Sequence, residues 1–244
     1  MSDSETITVT VNEVNVAPVL DAIGPQSVDE GTELTFTATA TDADLPANTL
    51  TFSLAGAPAG ASIDPVTGEF SWTPTEAQGP ATYTFDVVVS DGALSDSETI
   101  TVTVNEVNVA PVLAAIGDQT VDEETELTFT ATATDTDLPA NTLIFSLVGA
   151  PAGTSIDPAS GVFSWTPIET QGPGTYTFDV VVSDGVLTDS ETINVTVSEV
   201  NVPPRLAVID DQTVAEGTEL TFTASATDID IPGNVLTFSL ASAP

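Results

Sequence analysis

The chain has 244 residues, with 37 Asp or Glu, a single cation (Arg205), no His and no Cys, for a net charge of −36. One Arg cannot neutralise phosphates, so nucleic acid and anionic membrane surfaces are excluded as partners, and the absence of thiols excludes disulfides and thiolate metal sites. A hydrophobic content of 41% is too high for a disordered acidic tail, and no apolar run reaches transmembrane length.

In chain order, Met1 to Glu5 shows neither the basic n-region nor the apolar h-region of a signal peptide. The stretch ETITVTVNEVNVAP follows from Glu5 to Pro18; it returns at Glu98–Pro111 and, slightly edited, at Glu191–Pro204. The offsets are equal: 98 − 5 = 93 and 191 − 98 = 93. A fixed period of this length is too long for a solenoid repeat and suits an independent domain. Four segments are expected. Residues 1–17 are the last strand of a preceding copy. Residues 18–110 and 111–203 are full repeats, and 204–244 are the front of a further, truncated one. Lacking its later strands, that last segment is expected to fold poorly alone or to borrow contacts from its neighbour.

Within a repeat the pattern has period two. Leu34, Phe36, Ala38 and Ala40 alternate with Thr; Tyr83, Phe85, Val87 and Val89 repeat the alternation; Ile100, Val102 and Val104 give it again. Such runs are half-buried strands with β-branched Thr on the wet face. Breakers fall between them at 44–46, 57–60, 64–68, 78–80 and 91–92, and the last reads as a hairpin. Seven antiparallel strands are expected near 19–28, 33–41, 48–55, 61–64, 69–73, 82–90 and 96–105. No stretch has helical periodicity. The fold class is all-β: tandem immunoglobulin-like Greek-key β-sandwiches, with Trp72 and Trp165 as core plugs.

Many acids fall at loops and strand ends, where functional groups concentrate: Glu30, Asp42, Asp44, Glu76, Asp91, Glu106 and the neighbouring Asn108. Two carboxylates about 4 Å apart repel by roughly 4 kcal/mol at an effective dielectric near 20. Converging acids therefore require protonation or a cation. Carboxylates with Asn and carbonyl oxygens are a hard donor set that suits Ca²⁺ and fits Zn²⁺ poorly.

Ala40-Thr41-Asp42-Ala43-Asp44 with Asn48, followed by the strand Leu50–Leu54, resembles the cadherin A-T-D-A-D-x-G-x-N and its next strand. Ile63–Gly68 resembles I-D-P-x-T-G, Val89–Gly92 resembles A-x-D-G, and Val104–Pro111 resembles the bacterial connector V-N-D-V-N-E-A-P. Phe70–Pro74 is closer to the bacterial "putative Ig" and dystroglycan-type cadherin-like domains. The resemblance spans the whole period and implies calcium at the joints between consecutive domains. It assigns to the first full joint Glu30, Glu76, Glu106, Asn108 and also Asn105, with Asp135 and Asp137 and, nearby, Asn141 and Asp184. It assigns to the next Glu123, Glu169, Glu199, Asn201, Asp228 and Asp230. At the N-terminal joint Glu13 and Asn15 face Asp42, Asp44 and Asp91. The family's D-R-E is reduced here to Thr75-Glu76, and the connector lacks its second acid. One or two ions per joint are expected, at the ~10⁻⁴–10⁻³ M affinity of extracellular modules.

No catalytic set is present: there is no His base and no Cys or Lys nucleophile, and a carboxylate pair would need a cleft. The expected function is a calcium-stiffened structural or adhesive module of a large extracellular or cell-surface bacterial protein. Its partners are calcium ions, neighbouring repeats, and a surface glycan or protein receptor, without membrane insertion. The alternative is a carbohydrate- or protein-binding accessory module of a secreted multidomain enzyme, without calcium at the joints. An exposed Trp72 beside Tyr83 would favour the alternative.

Overall fold

The computed structural model describes residues 1–241; the last three residues of the truncated repeat expected over 204–244 lie outside them. The chain divides into two compact units, Met1–Asn108 with Asp137–Ala140, and Val109–Thr136 with Asn141–Pro244.

Unit 1 contains β1 (Val19–Leu20), β2 (Gln26–Asp29), β3 (Leu34–Thr37), β4 (Ala40–Thr41), β5 (Thr51–Ala55), β6 (Ser62–Ile63), β7 (Glu69–Trp72), β8 (Ala81–Ser90) and β9 (Ser95–Asn105). A four-stranded sheet runs β2-β9-β8-β5, and a three-stranded sheet runs β3-β7-β6, with β1 on β4 as a separate pair. The two sheets enclose Phe70, Trp72, Phe85, Val87, Val89, Ile100, Val102 and Val104, the apolar phase of the alternating runs. Phe70 stacks on Phe36 at 4.4 Å and on Phe85 at 5.7 Å. Trp72 is 1% exposed and meets Tyr83 edge-on at 5.1 Å; its indole N–H donates to the Ala59 carbonyl.

Two expected strands are broken. The run 19–28 leaves β4 after Leu20 and rejoins the fold on β9 at Gln26. Between them the carboxylate of Glu98 accepts the N–H groups of Ile23 and Gly24, and Asp96 accepts that of Leu20. The run 33–41 breaks at Ala38, whose N–H donates to the Gly68 carbonyl. Gly68 sits at φ +71, and a Cβ there would lie 2.2 Å from the Ala38 carbonyl oxygen, so the glycine of the 63–68 motif is required at this crossing. The strands are also not all antiparallel: β2 lies parallel to β9, from Gln26 opposite Val102 to Asp29 opposite Asn105. A 3-10 turn, Glu76–Gln78, was not expected from the sequence; three residues are too few to show periodicity. Its Gln78 side chain accepts the Thr75 N–H.

Unit 2 repeats this sandwich as β10 (Val112–Leu113), β11 (Gln119–Asp122), β12 (Leu127–Thr130), β13 (Ala133–Thr134), β14 (Ile144–Val148), β15 (Ser155–Ile156), β16 (Val162–Trp165), β17 (Gly174–Ser183) and β18 (Thr188–Ser198), with a second 3-10 turn at Glu169–Gln171. Trp165 is again buried against Tyr176. Beyond it, β19 (Arg205–Leu206) pairs with β20 (Ala226–Thr227). In this last segment Leu220 and Phe238 are 44% and 54% exposed, whereas Leu34 and Phe52, two periods earlier, are 9% and 7% exposed.

Candidate metal centres

Each sandwich gathers three glutamates at one end. In unit 1, Glu30 follows β2, Glu76 opens the 3-10 turn and Glu106 follows β9, and a carboxylate oxygen of each lies within 4.8 Å of the others. Glu30 is held by its backbone, whose N–H donates to the Asn105 carbonyl. It is 6% exposed. Its Oε1 accepts the Val107 N–H at 3.0 Å, while its Oε2 is buried without a hydrogen-bond partner. Glu76 Oε1 accepts the Leu138 N–H at 2.8 Å. Both oxygens of Glu106 are buried without partners. Partial burial, then the negative fields of Glu30, Glu76 and Asp137, push the Glu106 carboxyl above the ordinary range.

Unit 2 reproduces the arrangement with Glu123, Glu169 and Glu199. Glu123 Oε1 accepts the Val200 N–H at 2.9 Å and its Oε2 has no partner; Glu169 Oε1 accepts the Ile231 N–H at 2.8 Å; neither oxygen of Glu199 has a partner. Burial and the fields of Glu123, Glu169 and Asp230 raise Glu199 as well. Buried carboxylate oxygens without a hydrogen bond are unfavourable, and more so when charged. Among the described residues, no Lys or His can offset them, and Arg205 is the only side-chain cation.

A second kind of cluster is formed by aspartates. Asp42, Asp44 and Asp91 bring carboxylate oxygens within 4.8 Å of one another. Here hydrogen-bond donors satisfy most oxygens. Asp44, 5% exposed, accepts the Val16 N–H on both oxygens and the Asn48 amide on Oδ2. Asp42 Oδ1 accepts the Asp44 N–H, leaving only Oδ2 unpartnered. Asp91 accepts the N–H groups of Leu94 and Ala93 and the Asn15 amide, which hold its carboxyl below the usual range. Asn48 also donates to the Asn15 side chain at 3.1 Å. Glu13 is exposed, and desolvation followed by Asp44, Asp42 and Asp91 push its carboxyl up.

In unit 2 the same contacts recur between Asp230 and the Val202 N–H and between Asn234 and both Asp230 and Asn201, while the Asp230 N–H donates to Asp228. Asp135 and Asp184 lie in unit 2 one period after Asp42 and Asp91 (135 − 42 = 93; 184 − 91 = 93), both half-buried. Asp137 groups with unit 1 and is 2% exposed; Asn108 also belongs to unit 1 and Asn141 to unit 2. The Asn105 side chain donates to Asp29 at 2.9 Å on an exposed face, because residue 105 still lies in β9 with its side chain directed outward. The donors missed by sequence are the backbone N–H groups of Val16, Val107, Leu138, Val200, Val202 and Ile231, which carry no residue-type signal.

A family model described as "Putative Ig domain" matches residues 17–105 and 110–198. The chain belongs to that family. Among curated relatives of this Ig-family chain, Chitinase A of Pseudoalteromonas piscicida is 32% identical over 76% of this chain and 22% of that protein. Serine-rich adhesin for platelets of Staphylococcus aureus (strain N315) is 30% identical over 66% of this chain and 7% of that protein. The chain thus spans less than a quarter of either relative. The crystal structure of human protocadherin-24 EC1-2 (form II) matches at a TM-score of 0.50 and 19% identity, covering 75% of this chain and 99% of that one. The protocadherin GammaB4 extracellular domain matches at 0.50 and 18%, covering 88% and 40%. These likenesses show the fold: tandem immunoglobulin-like, cadherin-like sandwiches. No helix among the described residues is long and apolar enough to cross a membrane.

Proposed function

We propose that this chain is a calcium-stiffened, non-catalytic repeat module of a large extracellular or cell-surface bacterial protein, serving as a stalk or adhesive segment. The supporting observation is the pair of buried, unpartnered oxygens, Glu30 Oε2 and Glu123 Oε2, each on a glutamate that clusters with two others. The donor set is all oxygen and acidic, which fits a hard divalent ion. A bound Ca²⁺ supplies the positive charge that this crowding lacks.

The chain's own residues do the rest. Glu30 and Glu76 each commit one oxygen to a backbone N–H and keep the other available; Glu106 keeps both, as a bidentate ligand would. Glu123, Glu169 and Glu199 divide the task in the same way. The aspartates hold the connectors through Asn15, Val16 and Val202, so the glutamate centres are the primary ion sites. The proposed ligand set also takes in Glu13, Asp42, Asp44, Asp91, Asn108, Asp135, Asp137, Asp184, Asp228 and Asp230. The proposed segments are 1–17, 18–110, 111–203 and 204–244.

Calorimetric calcium titration of the full chain tests the reading. Saturable uptake that falls in Glu106→Gln and Glu199→Gln supports it; uptake unchanged in the double variant overturns it. A second reading, an accessory module of a secreted enzyme, draws on the relative named Chitinase A. Against it, Trp72 and Trp165 are each 1% exposed and offer no aromatic platform.

A further inference from the structure

Two glycines beside the glutamate centres have no backbone reason to be glycine. Gly79 follows the first 3-10 turn with φ −114 and ψ 157, and Gly172 follows the second with φ −109 and ψ 151. Both are extended conformations open to any residue, unlike that of Gly68. What is special is their surroundings. A Cβ on Gly79 would lie 2.0 Å from Glu30 Oε2, 3.0 Å from Glu30 Cδ and 3.2 Å from Val104 Cγ1. A Cβ on Gly172 would lie 2.1 Å from Glu123 Oε2 and 3.0 Å from its Cδ. The atom met first is, in both sandwiches, the buried carboxylate oxygen that lacks a hydrogen bond.

We propose that Gly79 and Gly172 are positioning residues of the two glutamate centres: their bare Cα faces hold Glu30 Oε2 and Glu123 Oε2 toward the cluster, and divalent-ion affinity depends on that fit. The inference rests on the calcium reading above and deepens it. The carboxylate has little room to retreat, because its other oxygen is tied to Val107 or Val200 and the side chain is more than nine-tenths buried. The same glycines also close the turn that carries the second ligand: Gly79 N–H donates to the Glu76 carbonyl at 3.3 Å, and Gly172 N–H to that of Glu169 at 3.4 Å. One residue therefore sets the distance between two of the three glutamates. The two copies of this loop differ at 75/168, 77/170 and 81/174 yet share Glu, Gln, Gly and Pro.

The test uses the full chain, with calcium calorimetry and thermal unfolding in chelator. Gly172→Ala is expected to weaken the unit 2 centre by at least about tenfold, a difference of about 1.4 kcal/mol, while the unit 1 centre serves as an internal control; Gly79→Ala is expected to do the reverse. In chelator, Gly172→Ala is expected to lower the melting temperature in the native background much more than in a Glu123→Ala background, where the colliding oxygen is gone and only the Glu123 Cβ, 3.2 Å away, remains. A backbone role for the glycine would lower it equally in both, and that result overturns the proposal. Native-like calcium affinity in Gly172→Ala overturns it too, leaving the calcium reading intact. A native chain that takes up no calcium overturns both, so the two failures are distinguishable.

Discussion

Asp44 receives the Val16 N–H on both of its carboxylate oxygens, at 3.1 and 3.2 Å, across 28 residues of chain. Asp230 repeats this with Val202 at 3.0 and 3.2 Å. In these two places a buried aspartate thus fastens the connector to the loop that follows it, by hydrogen bonds that need no ion. Such bonds to a charged acceptor contribute about 1.5–3 kcal/mol each. Asp230→Ala is therefore expected to expose the Val202 amide to exchange by at least tenfold, measured by hydrogen–deuterium exchange in chelator. Unchanged protection would show that the connector is held by something else.

Glu199 has two buried oxygens and no donor. Glu199→Gln removes one charge from the crowded centre, so the chelated protein is expected to gain stability while calcium affinity drops more than tenfold. A surface change such as Glu126→Gln is expected to alter neither. Paired melting curves with and without calcium read both effects.

The pH dependence carries opposite signs at two kinds of site. Glu106 and Glu199 have folded-state pKa values above 4.5. Between the unfolded and folded values the native chain binds more protons, so without calcium their contribution grows as pH falls from neutrality and is lost as pH rises through the folded value. Asp64 and Asp157 lie below 3.8, held there mainly by N–H donors in their turns. Their contribution is present above 3.8 and is lost as pH falls through the folded value. Melting temperature in chelator is expected to rise on mild acidification and to fall steeply in strong acid. A monotonic fall from neutrality would contradict the crowding at Glu106 and Glu199.

Core truncations are expected to separate the sandwiches from the last segment. Trp72→Ala leaves a cavity between sheets and is expected to cost about 3–5 kcal/mol. Phe222→Ala, at a residue 50% exposed, is expected to cost well under about 1 kcal/mol. Denaturant unfolding of each variant measures both.

The sandwich was legible because alternation survives intact where it matters. Ile100, Val102 and Val104 point inward and the intervening Thr outward, as period two demands. The breaks at Asp21–Pro25 and Ala38 were not, since they depend on partners far along the chain: Glu98 in one case, Gly68 in the other. The acidic residue types at the candidate centres could be read from the motifs. Which oxygens are occupied could not, because backbone N–H groups decide it, and the role of Gly79 emerges only from a distance to Glu30.

The parallel register of β2 and β9 has a mechanical consequence. Tension along the chain enters a sandwich ahead of Gln26 and leaves beyond Asn105, at opposite ends of this paired ladder. Pulling therefore slides the two strands along their length, so their hydrogen bonds must rupture together instead of peeling one after another. A tether made of such modules would yield abruptly, at high load, and lengthen one module at a time.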